Sequence, residues 1–173
     1  MHQLVTKRLI IREPLESDAQ HLYEGIFSDP LAMKYIGDGA PRDLAMVEES
    51  LRRRIAFFKE HGVSLMTVTL KDTGEIIGDC GVLPYNWEGP QIELAYRYRP
   101  SAWGNGYAKE AGKAVLESVW RVTEIEELLG VTDMDNIASQ KVLLSLGFED
   151  LGTTTAFYGQ EELRHFRISR PGA

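Results

Sequence analysis

The apolar and polar positions in the first part of the chain predict one strand followed by a helix. The β-branched and apolar run at residues 4–12 predicts a strand that ends before the first proline. A helix is expected next, because Ser17 and Gln20 have the spacing of a capping box and apolar residues recur at helical intervals until Pro30. Residues 31–36 are expected to form a short turn after this helix.

A second and stronger amphipathic pattern begins at residue 44 and predicts a helix that ends at Gly62. The three consecutive arginines at positions 52–54 lie off its apolar stripe, and we assign them to a solvated face rather than to a docking patch. The stripe consists of Leu44, Val47, Leu51, Ile55 and Phe58.

The middle of the chain has the period of two that is typical of strands. Residues 65–71 and 75–83 flank a turn sequence at 72–74, which predicts an antiparallel hairpin. A further strand is predicted at residues 91–99 and ends at Pro100. Its alternation places Ile92, Leu94, Tyr96 and Tyr98 on one face and Glu93, Ala95, Arg97 and Arg99 on the other.

The last third of the chain alternates strands and helices less regularly. A glycine loop leads directly into an amphipathic helix, and a strand at 126–132 precedes a short helix that Asp135 or Asn136 can cap and Gly147 ends. Two final strands, at 151–158 and 163–169, are expected to pair through Gly159. This order predicts a single α+β (mixed α/β) domain over 1–173 with antiparallel hairpins and one parallel pair, and excludes a doubly wound dinucleotide fold.

Composition and charge exclude several classes of protein. Against 19 Lys and Arg, the 173 residues include 26 Asp and Glu, a net charge of −7 that disfavours binding to nucleic acid or to anionic membranes. No run approaches the roughly 20 apolar residues that span a bilayer, and Lys7, Arg8 and Arg12 interrupt any secretory signal. We therefore expect a cytoplasmic protein. Its one cysteine, Cys80, is interpreted as a buried apolar residue, because no partner that would activate a thiolate is evident.

The loop at residues 103–109 is the main candidate for chemistry. Two glycines precede a helix, whose first amide groups and dipole can bind an anion closely. A tight strand-to-helix turn would explain the same glycines without a ligand. Two nucleotide motifs are excluded: the Walker sequence is absent, and Lys109 stands where a dinucleotide fingerprint needs its third glycine.

Three sequence motifs resemble those of the GNAT family of N-acetyltransferases, and in particular those of the branch of ribosomal-protein alanine N-acetyltransferases (RimJ/RimL-like). The loop Trp-Gly-Asn-Gly-Tyr-Ala at 103–108 is similar to the acetyl-CoA loop of that branch, and residues 6–12 are similar to its first strand. Asn-Ile-Ala-Ser at 136–139, followed by Leu-Gly-Phe at 146–148, resembles the third motif.

The resemblance implies a central, mostly antiparallel mixed sheet of six to seven strands with about four helices, in which the parallel fourth and fifth strands splay apart. It also implies acetyl-CoA as cosubstrate and no metal. The pyrophosphate would bind the loop amides, and the pantetheine arm would pair with the backbone at the end of the 91–99 strand and with the cap of the short helix. The implied acetyl-CoA contacts are Arg97, Tyr98, Trp103, Gly104, Asn105, Gly106, Tyr107, Ala108, Lys109, Asn136 and Ser139.

The same resemblance suggests two catalytic residues. Many members have a tyrosine four residues after the position of Ser139, where this chain has Leu143. Ser139 is then the candidate that protonates the leaving thiolate, unless it only bonds its own helix backbone. Glu93 is the candidate base, unless it is an exposed strand carboxylate, and Arg97 and Arg99 are expected to hold it ionised.

The acceptor is expected to be a primary amine, either a protein N-terminus or a small molecule, and the negative net charge favours cationic substrates. Tyr85 and Trp87 are candidates to line its pocket, or alternatively to anchor their loop by packing. Because Leu143 replaces the usual tyrosine, a non-catalytic module that binds acyl-CoA is the alternative function. The family resemblance leaves a homodimer open, since no exposed apolar stripe identifies an interface.

Overall fold

One mixed sheet organises the chain in the computed structural model, which describes residues 3–158 and 162–172. Within these residues eight strands pair in the order β1-β2-β3-β4-β5-β6-β8-β7, and only β5 and β6 run parallel. The expected mixed, mostly antiparallel fold is confirmed. The strands are β1 (Gln3–Val5), β2 (Leu9–Arg12), β3 (Leu65–Leu70), β4 (Ile76–Pro84), β5 (Ile92–Tyr98), β6 (Glu127–Asp133), β7 (Glu149–Thr154) and β8 (Leu163–Ser169).

The eighth strand arises because the first apolar run is divided, and the prediction of one strand over 4–12 is wrong. Thr6 closes a turn between β1 and β2: its amide donates to the Leu9 carbonyl at 2.9 Å, and its hydroxyl accepts from the Leu9 amide at 2.9 Å. The polar residues that follow Thr6 form this turn. The two short strands then pair antiparallel, with Leu4 opposite Ile11.

The first helical region begins differently from the predicted capping box. Asp18, rather than Ser17, organises its start: the Asp18 carboxylate accepts a hydrogen bond of 3.0 Å from the Leu15 amide and pairs with Arg12 at 2.8 Å. The segment then changes helix type from a 3₁₀ turn (Glu16–Asp18) to a short α-helix and a π turn. A buried carboxylate with specific partners overrides the local capping signal.

Pro30 begins a helix as well as following one, so the expected turn at 31–36 is partly helical. Asp29 caps this helix by accepting a hydrogen bond of 2.8 Å from the Leu31 amide, and proline is well suited to the first helical position. The five α-helices of the described residues are α1 (Ala19–Leu22), α2 (Pro30–Met33), α3 (Leu44–His61), α4 (Tyr107–Val122) and α5 (Ile137–Ser145), and the π turn is Tyr23–Phe27.

Helix α3 ends at Gly62 as predicted, in the left-handed conformation with φ +72°. The assignment of all three arginines to its solvent face is wrong for one of them. Arg54 is 1% exposed, because it lies three residues after Leu51 and four before Phe58 and therefore shares their buried stripe. Arg52 and Arg53 are exposed as expected.

Two apolar clusters hold the layers together. The larger cluster joins the sheet to α4 and α5 and includes Leu94, Val115 and Leu143. The smaller cluster lies among α1, the π turn, α2 and α3 and includes Met33 and Leu51. Leu94 and Tyr98 of β5 belong to the larger cluster, whereas Arg97 lies over Phe27 of the π turn, so the two faces of β5 meet different layers, as its alternation predicted. No helix in the described part of the chain has the length and apolar character needed to cross a bilayer.

The carboxyl-terminal hairpin pairs antiparallel as predicted, although its first strand is β7 at Glu149–Thr154 rather than 151–158. A register shift between Asp150 and Thr153 marks an irregularity in this edge strand. Gly159, the expected turn residue, lies outside the described residues.

Candidate active site

The glycine loop between β5 and α4 requires glycine for conformational reasons. Gly104 and Gly106 have φ values of +75° and +76°, and Gly106 is the residue that caps α4. A Cβ at Gly104 would meet no atom within 4 Å, and one at Gly106 would approach only Arg8 Nη2, at 3.8 Å. The loop therefore presents its backbone to open space.

The amide groups of this loop are available to a ligand. Within the described chain, the amides of residues 104–109 have no hydrogen-bond acceptor, and the first paired amide is that of Glu110, which donates to the Gly106 carbonyl at 3.1 Å. They converge at the positive end of a 16-residue helix. This arrangement fits a phosphate or pyrophosphate group. The residues concerned are Gly104, Asn105, Gly106, Tyr107, Ala108 and Lys109.

Side chains of the loop itself fix its shape. Asn105 Nδ2 donates to the carbonyls of Ala102 and Trp103 at 3.2 and 3.0 Å. The Trp103 indole donates to the Tyr98 carbonyl at 2.8 Å and so ties the loop to the end of β5. Trp103 and Asn105 are therefore scaffold residues of the expected cofactor site.

A second support for the loop comes from the β1–β2 turn, and the sequence pattern gave no indication of it. Glu110 accepts hydrogen bonds from Thr6 Oγ1 at 2.6 Å and from Arg8 Nε at 2.7 Å. Arg8 also donates to the Asn105 carbonyl and stacks over the Tyr107 ring, 4.5 Å from its centroid. Burial opposes ionisation of Glu110, but the bonds from Thr6 and Arg8 outweigh it and lower its pKa. Thr6 and Arg8 are 104 and 102 residues from Glu110, so only the fold brings them together.

The parallel strands β5 and β6 splay apart next to this loop. Their one registered pair is Glu93 with Leu129, whereas β5 pairs with β4 over seven residues up to Tyr98. The edge of β5 beyond Glu93 therefore has backbone groups that β6 does not pair. Tyr98, one of the two expected backbone contacts of the pantetheine arm, ends this stretch, whereas the carbonyl of Arg97, the other, faces Gly78 on β4.

Ser139 lies in the first turn of α5, where Asn136 caps the helix by accepting a bond of 3.2 Å from the Ser139 amide. The hydroxyl of Tyr96 on β5 is 2.8 Å from Ser139 Oγ and 3.0 Å from the Ser139 carbonyl oxygen. Burial raises the pKa of Tyr96, which keeps its hydroxyl protonated. Leu143 is buried over Gly130 of β6, so the residue at the usual tyrosine position is part of the core.

Glu93 is buried, with 9% of its surface exposed, which excludes the exposed-carboxylate interpretation. Tyr158, from the segment after β7, donates a hydrogen bond of 2.7 Å to Glu93 Oε1. The Tyr158 amide donates to the hydroxyl of Tyr85, and the two rings pack edge to face at 4.8 Å. Burial raises the pKa of Glu93, and the bond from Tyr158 and the charge of Arg97 offset only part of this effect.

The two arginines that were expected to hold Glu93 ionised have carboxylate partners of their own. Arg97 Nε donates to Asp79 Oδ1 at 3.0 Å, and Arg99 pairs with Glu75. Arg97 still lowers the pKa of Glu93, but burial outweighs this effect and the pKa is raised, so the two arginines do not control it as expected.

The two aromatic candidates for the substrate pocket have different neighbours. Tyr85 packs against Phe157, with ring centroids 4.9 Å apart, and lies close to the Glu93–Tyr158 pair. Trp87 packs against Phe57 on α3, at 6.2 Å, and under the guanidinium group of Arg53. The structure therefore brings Tyr85, but not Trp87, into contact with the residue that hydrogen-bonds Glu93.

Cys80 is fully buried in the large core cluster, as predicted. Burial, and secondarily the charge of Asp79, raise the pKa of its thiol. It has neither the access nor the ionisation that a nucleophile requires.

Comparisons with known proteins agree with the resemblance that the sequence motifs indicated. The sequence model described as "Acetyltransferase (GNAT) domain" matches residues 8–149. The Bacillus subtilis protein YkkB, named as uncharacterized, is 32% identical over 146 residues, which are 84% of each chain. Another B. subtilis protein, named uncharacterized N-acetyltransferase YnaD, is 30% identical over 153 residues, 88% of this chain and 85% of its own.

Among solved structures, the ribosomal L7/L12 α-N-protein acetyltransferase RimL in complex with coenzyme A superposes with a TM-score of 0.83. The match covers 99% of this chain and 100% of RimL at 13% sequence identity. At that identity the comparison establishes a shared fold, which is the fold that the sequence motifs predicted.

Proposed function

Because the chain belongs to the GNAT acetyltransferase family, we propose that it is an acetyl-CoA-dependent N-acetyltransferase that transfers the acetyl group directly to a primary amine in a ternary complex. The observation that carries this proposal is the row of amides at residues 104–109, which have no acceptor among the described residues and lie beside the gap between β5 and β6. Glu93 and Ser139 lie on the elements that border this gap.

The chain's own groups define how the cosubstrate would be held. The loop amides bind the pyrophosphate, and the edge of β5 that ends at Tyr98 pairs with the pantetheine amides. The Tyr98 carbonyl already accepts a bond from Trp103, and the carbonyl of Arg97 faces Gly78 on β4. Asn136, whose side chain caps α5, borders the same gap. Acetyl-CoA supplies an activated thioester carbonyl and a thiolate leaving group.

Glu93 acts as the general base in this proposal. A buried carboxylate with a raised pKa is a stronger proton acceptor than an exposed one, and it takes the amine proton directly or through one water. The amine nitrogen then forms the bond to the acetyl carbon as the carbon–sulfur bond breaks. Tyr158 orients the carboxylate through its 2.7 Å bond.

Ser139 supplies the proton that the departing thiolate needs. The hydroxyls of Tyr96 and Ser139 are 2.8 Å apart and either can donate; in this proposal Tyr96 donates, which leaves the hydroxyl proton of Ser139 for the sulfur. Tyr96 is a positioning residue, because it acts through Ser139. Together these residues take over the role of the tyrosine that Leu143 replaces.

The acceptor in this proposal is a protein N-terminus or a small-molecule amine, and Tyr85 lines its approach to Glu93. Trp87 lies on the same segment but packs against Phe57 of α3, so it is not part of this approach. We expect the enzyme to act in the cytoplasm, where acetyl-CoA and amine acceptors are both present.

The test is acetyl transfer to a panel of primary amines, followed by release of free thiol and by the mass of each amine product. We expect thiol release that depends on both substrates and is lost in Glu93→Gln. Binding of acetyl-CoA without thiol release for any amine or N-terminal peptide would contradict the proposal and would favour a non-catalytic acyl-CoA-binding module.

A further inference from the structure

A buried carboxylate on β4, the strand next to the one that carries Glu93, is shared by two arginines. Asp79 on β4 has no exposed surface, and its two oxygens accept hydrogen bonds from different guanidinium groups. Arg54 Nη1 on α3 donates to Oδ2 at 2.9 Å, and Arg97 Nε on β5 donates to Oδ1 at 3.0 Å. We call these three residues the Arg–Asp–Arg cluster.

The cluster has an excess of one positive charge. Two guanidinium groups face one carboxylate, and Nε and Nη2 of Arg54 are buried without an acceptor in the described chain. Buried donors without acceptors are costly, and an unbalanced buried charge is more so. Burial and the charge of Arg97 lower the pKa of Arg54 to about 10, which reflects the same imbalance. An additional anion is the group that would relieve it.

Aromatic contact offsets only part of this charge. The guanidinium carbons of Arg97 and Arg54 lie 5.0 and 5.9 Å from the centroid of the Phe27 ring. Phe27 ends the π turn Tyr23–Phe27, and π turns are uncommon and frequent at functional sites. The cluster is therefore covered by a segment with unusual backbone geometry.

The cluster lies on the same face of β5 as the proposed base. Glu93, Ala95 and Arg97 alternate along one face, so that Glu93 and Arg97 are four residues, or about 13 Å, apart along the strand. Between them lies only Ala95, which pairs with Gly81 on β4. The Arg97 side chain is 18% exposed, whereas Arg54 lies behind it, so Arg97 is the part of the cluster that a ligand can reach.

We propose that Arg97, supported by Arg54, binds a carboxylate of the acceptor while Glu93 receives its amine. The acceptor is then an amine that also carries a carboxylate, separated from the nitrogen by a chain of several atoms. An ω-amino acid and the N-terminus of a peptide with a nearby acidic side chain both have this form. The inference rests on the proposed function, because it assigns the acceptor class of the same site.

The test measures binding rather than turnover. Calorimetric titration of the protein saturated with CoA compares each ω-amino acid, from 4-aminobutyrate to 8-aminooctanoate, with the amide of the same length. We expect one length to bind at least about tenfold more tightly as the carboxylate than as the amide, since the amide keeps the size and loses the charge.

Variants of the Arg–Asp–Arg cluster test whether it causes the preference for the carboxylate over the amide. Arg97→Met is expected to abolish it, and it should fold, because the remaining Arg54–Asp79 pair is balanced in charge. Arg97→Lys keeps the charge and is expected to keep part of the preference. Arg99→Met is the matched control, because Arg99 pairs with Glu75 and is not part of the cluster.

Equal binding of carboxylate and amide at every length, or a preference that survives in Arg97→Met, would overturn the inference. The outcome is separate from that of the proposed function. Acetyl transfer without a carboxylate preference contradicts only the acceptor class, and a carboxylate preference without acetyl transfer contradicts only the enzymatic activity.

Discussion

The hydroxyl of Tyr158 donates a 2.7 Å hydrogen bond to the carboxylate of Glu93, across 65 positions of sequence. Burial raises the pKa of Glu93 above its usual 4.5, and the bond from Tyr158 limits the rise. Burial and the charge of Glu93 also raise the pKa of Tyr158, so that its hydroxyl remains a donor at neutral pH. The proposed base is thus controlled by a residue from the segment after β7.

This pair predicts a pH dependence of activity. A base must be ionised to act, so kcat/KM should fall as the pH decreases through the raised pKa of Glu93, above the value of a free glutamate. Tyr158→Phe removes a bond that stabilises the ionised form and should move this acidic limb to higher pH. The measurement is the pH profile of kcat/KM for both proteins with one amine. An acidic limb at the same pH in both would show that Tyr158 does not tune the base.

The raised pKa of Glu93 also makes the stability of the fold depend on pH, and a second variant tests this dependence. A carboxyl whose folded-state pKa is raised stabilises the fold at low pH, and this contribution is lost as the pH rises through that pKa. Glu93→Gln cannot ionise, so its free energy of unfolding should exceed that of the wild type more at pH 8 than at pH 4. Urea unfolding at the two pH values measures the difference. A difference of opposite sign would contradict the assignment of a buried, raised carboxyl.

Ser139→Ala is expected to reduce kcat about 10²-fold, the effect of removing a general acid, with little change in the KM for acetyl-CoA. The control is Ser145→Ala in the same helix, where the hydroxyl is exposed and donates to the Val142 carbonyl at 2.8 Å. Steady-state kinetics of both variants separate the roles. Equal and small effects would assign Ser139 to helix structure alone.

The positioning role of Tyr96 has its own signature. Tyr96→Phe removes the 2.8 Å contact with Ser139 Oγ but leaves Ser139 in place. We expect a smaller loss of kcat than in Ser139→Ala, and almost no further loss when the two substitutions are combined, because coupled residues are not additive. Multiplicative losses in the double variant would indicate independent roles.

Gly106→Val tests the cofactor loop. A valine cannot readily adopt φ +76°, so the amides at the start of α4 should shift and the affinity for acetyl-CoA should fall at least about tenfold. Gly74→Val is the matched control, because Gly74 has φ +74° and open space around it but lies in the β3–β4 turn. Titration calorimetry with CoA compares them. A similar loss of CoA affinity in both variants would show that general backbone strain, rather than displacement of the loop amides, causes it.

Asp18 should be a main contributor to stability in the first helical region. It is 2% exposed and accepts bonds from Arg12 and Thr67. Burial opposes its ionisation, but these bonds outweigh it and lower its pKa, so its contribution is present at neutral pH and is lost as the pH falls through that lowered value. Asp18→Ala should cost about 2–4 kcal/mol at pH 7 by urea unfolding. Glu49→Ala, in an exposed pair with Arg52, is the control and should change stability little.

The sequence predicted the features that depend on adjacent residues or on a regular side-chain period. The turn of the glycine loop, the cap at Asn136 and the end of α3 at Gly62 depend on a few adjacent residues, and the structure confirms each. The alternation of β5 correctly placed Glu93 and Arg97 on one face. These features follow from backbone conformation and side-chain period, which a single sequence contains.

What it could not predict depends on partners that are distant in sequence. Helical spacing places Arg54 on the buried stripe of α3, but its acceptor there is Asp79, 25 residues later, and no pattern within α3 indicates that carboxylate. The pKa of Glu93 likewise depends on the burial of β5, which raises it, and on Tyr158, which limits the rise. The same limit applies to the support of the cofactor loop by Arg8 and Glu110.

The measurement that tests the central claim most directly is thermal unfolding of the wild-type protein with and without acetyl-CoA, with ATP and NAD as comparisons. A ligand at about 100 times its Kd adds about 2.7 kcal/mol of stability, which for a domain of this size should raise Tm by roughly 5–10 °C. We expect this shift with acetyl-CoA and not with ATP or NAD. An unchanged Tm at saturating acetyl-CoA, or an equal shift with all three ligands, would contradict the assignment of the loop at residues 104–109 as an acetyl-CoA site.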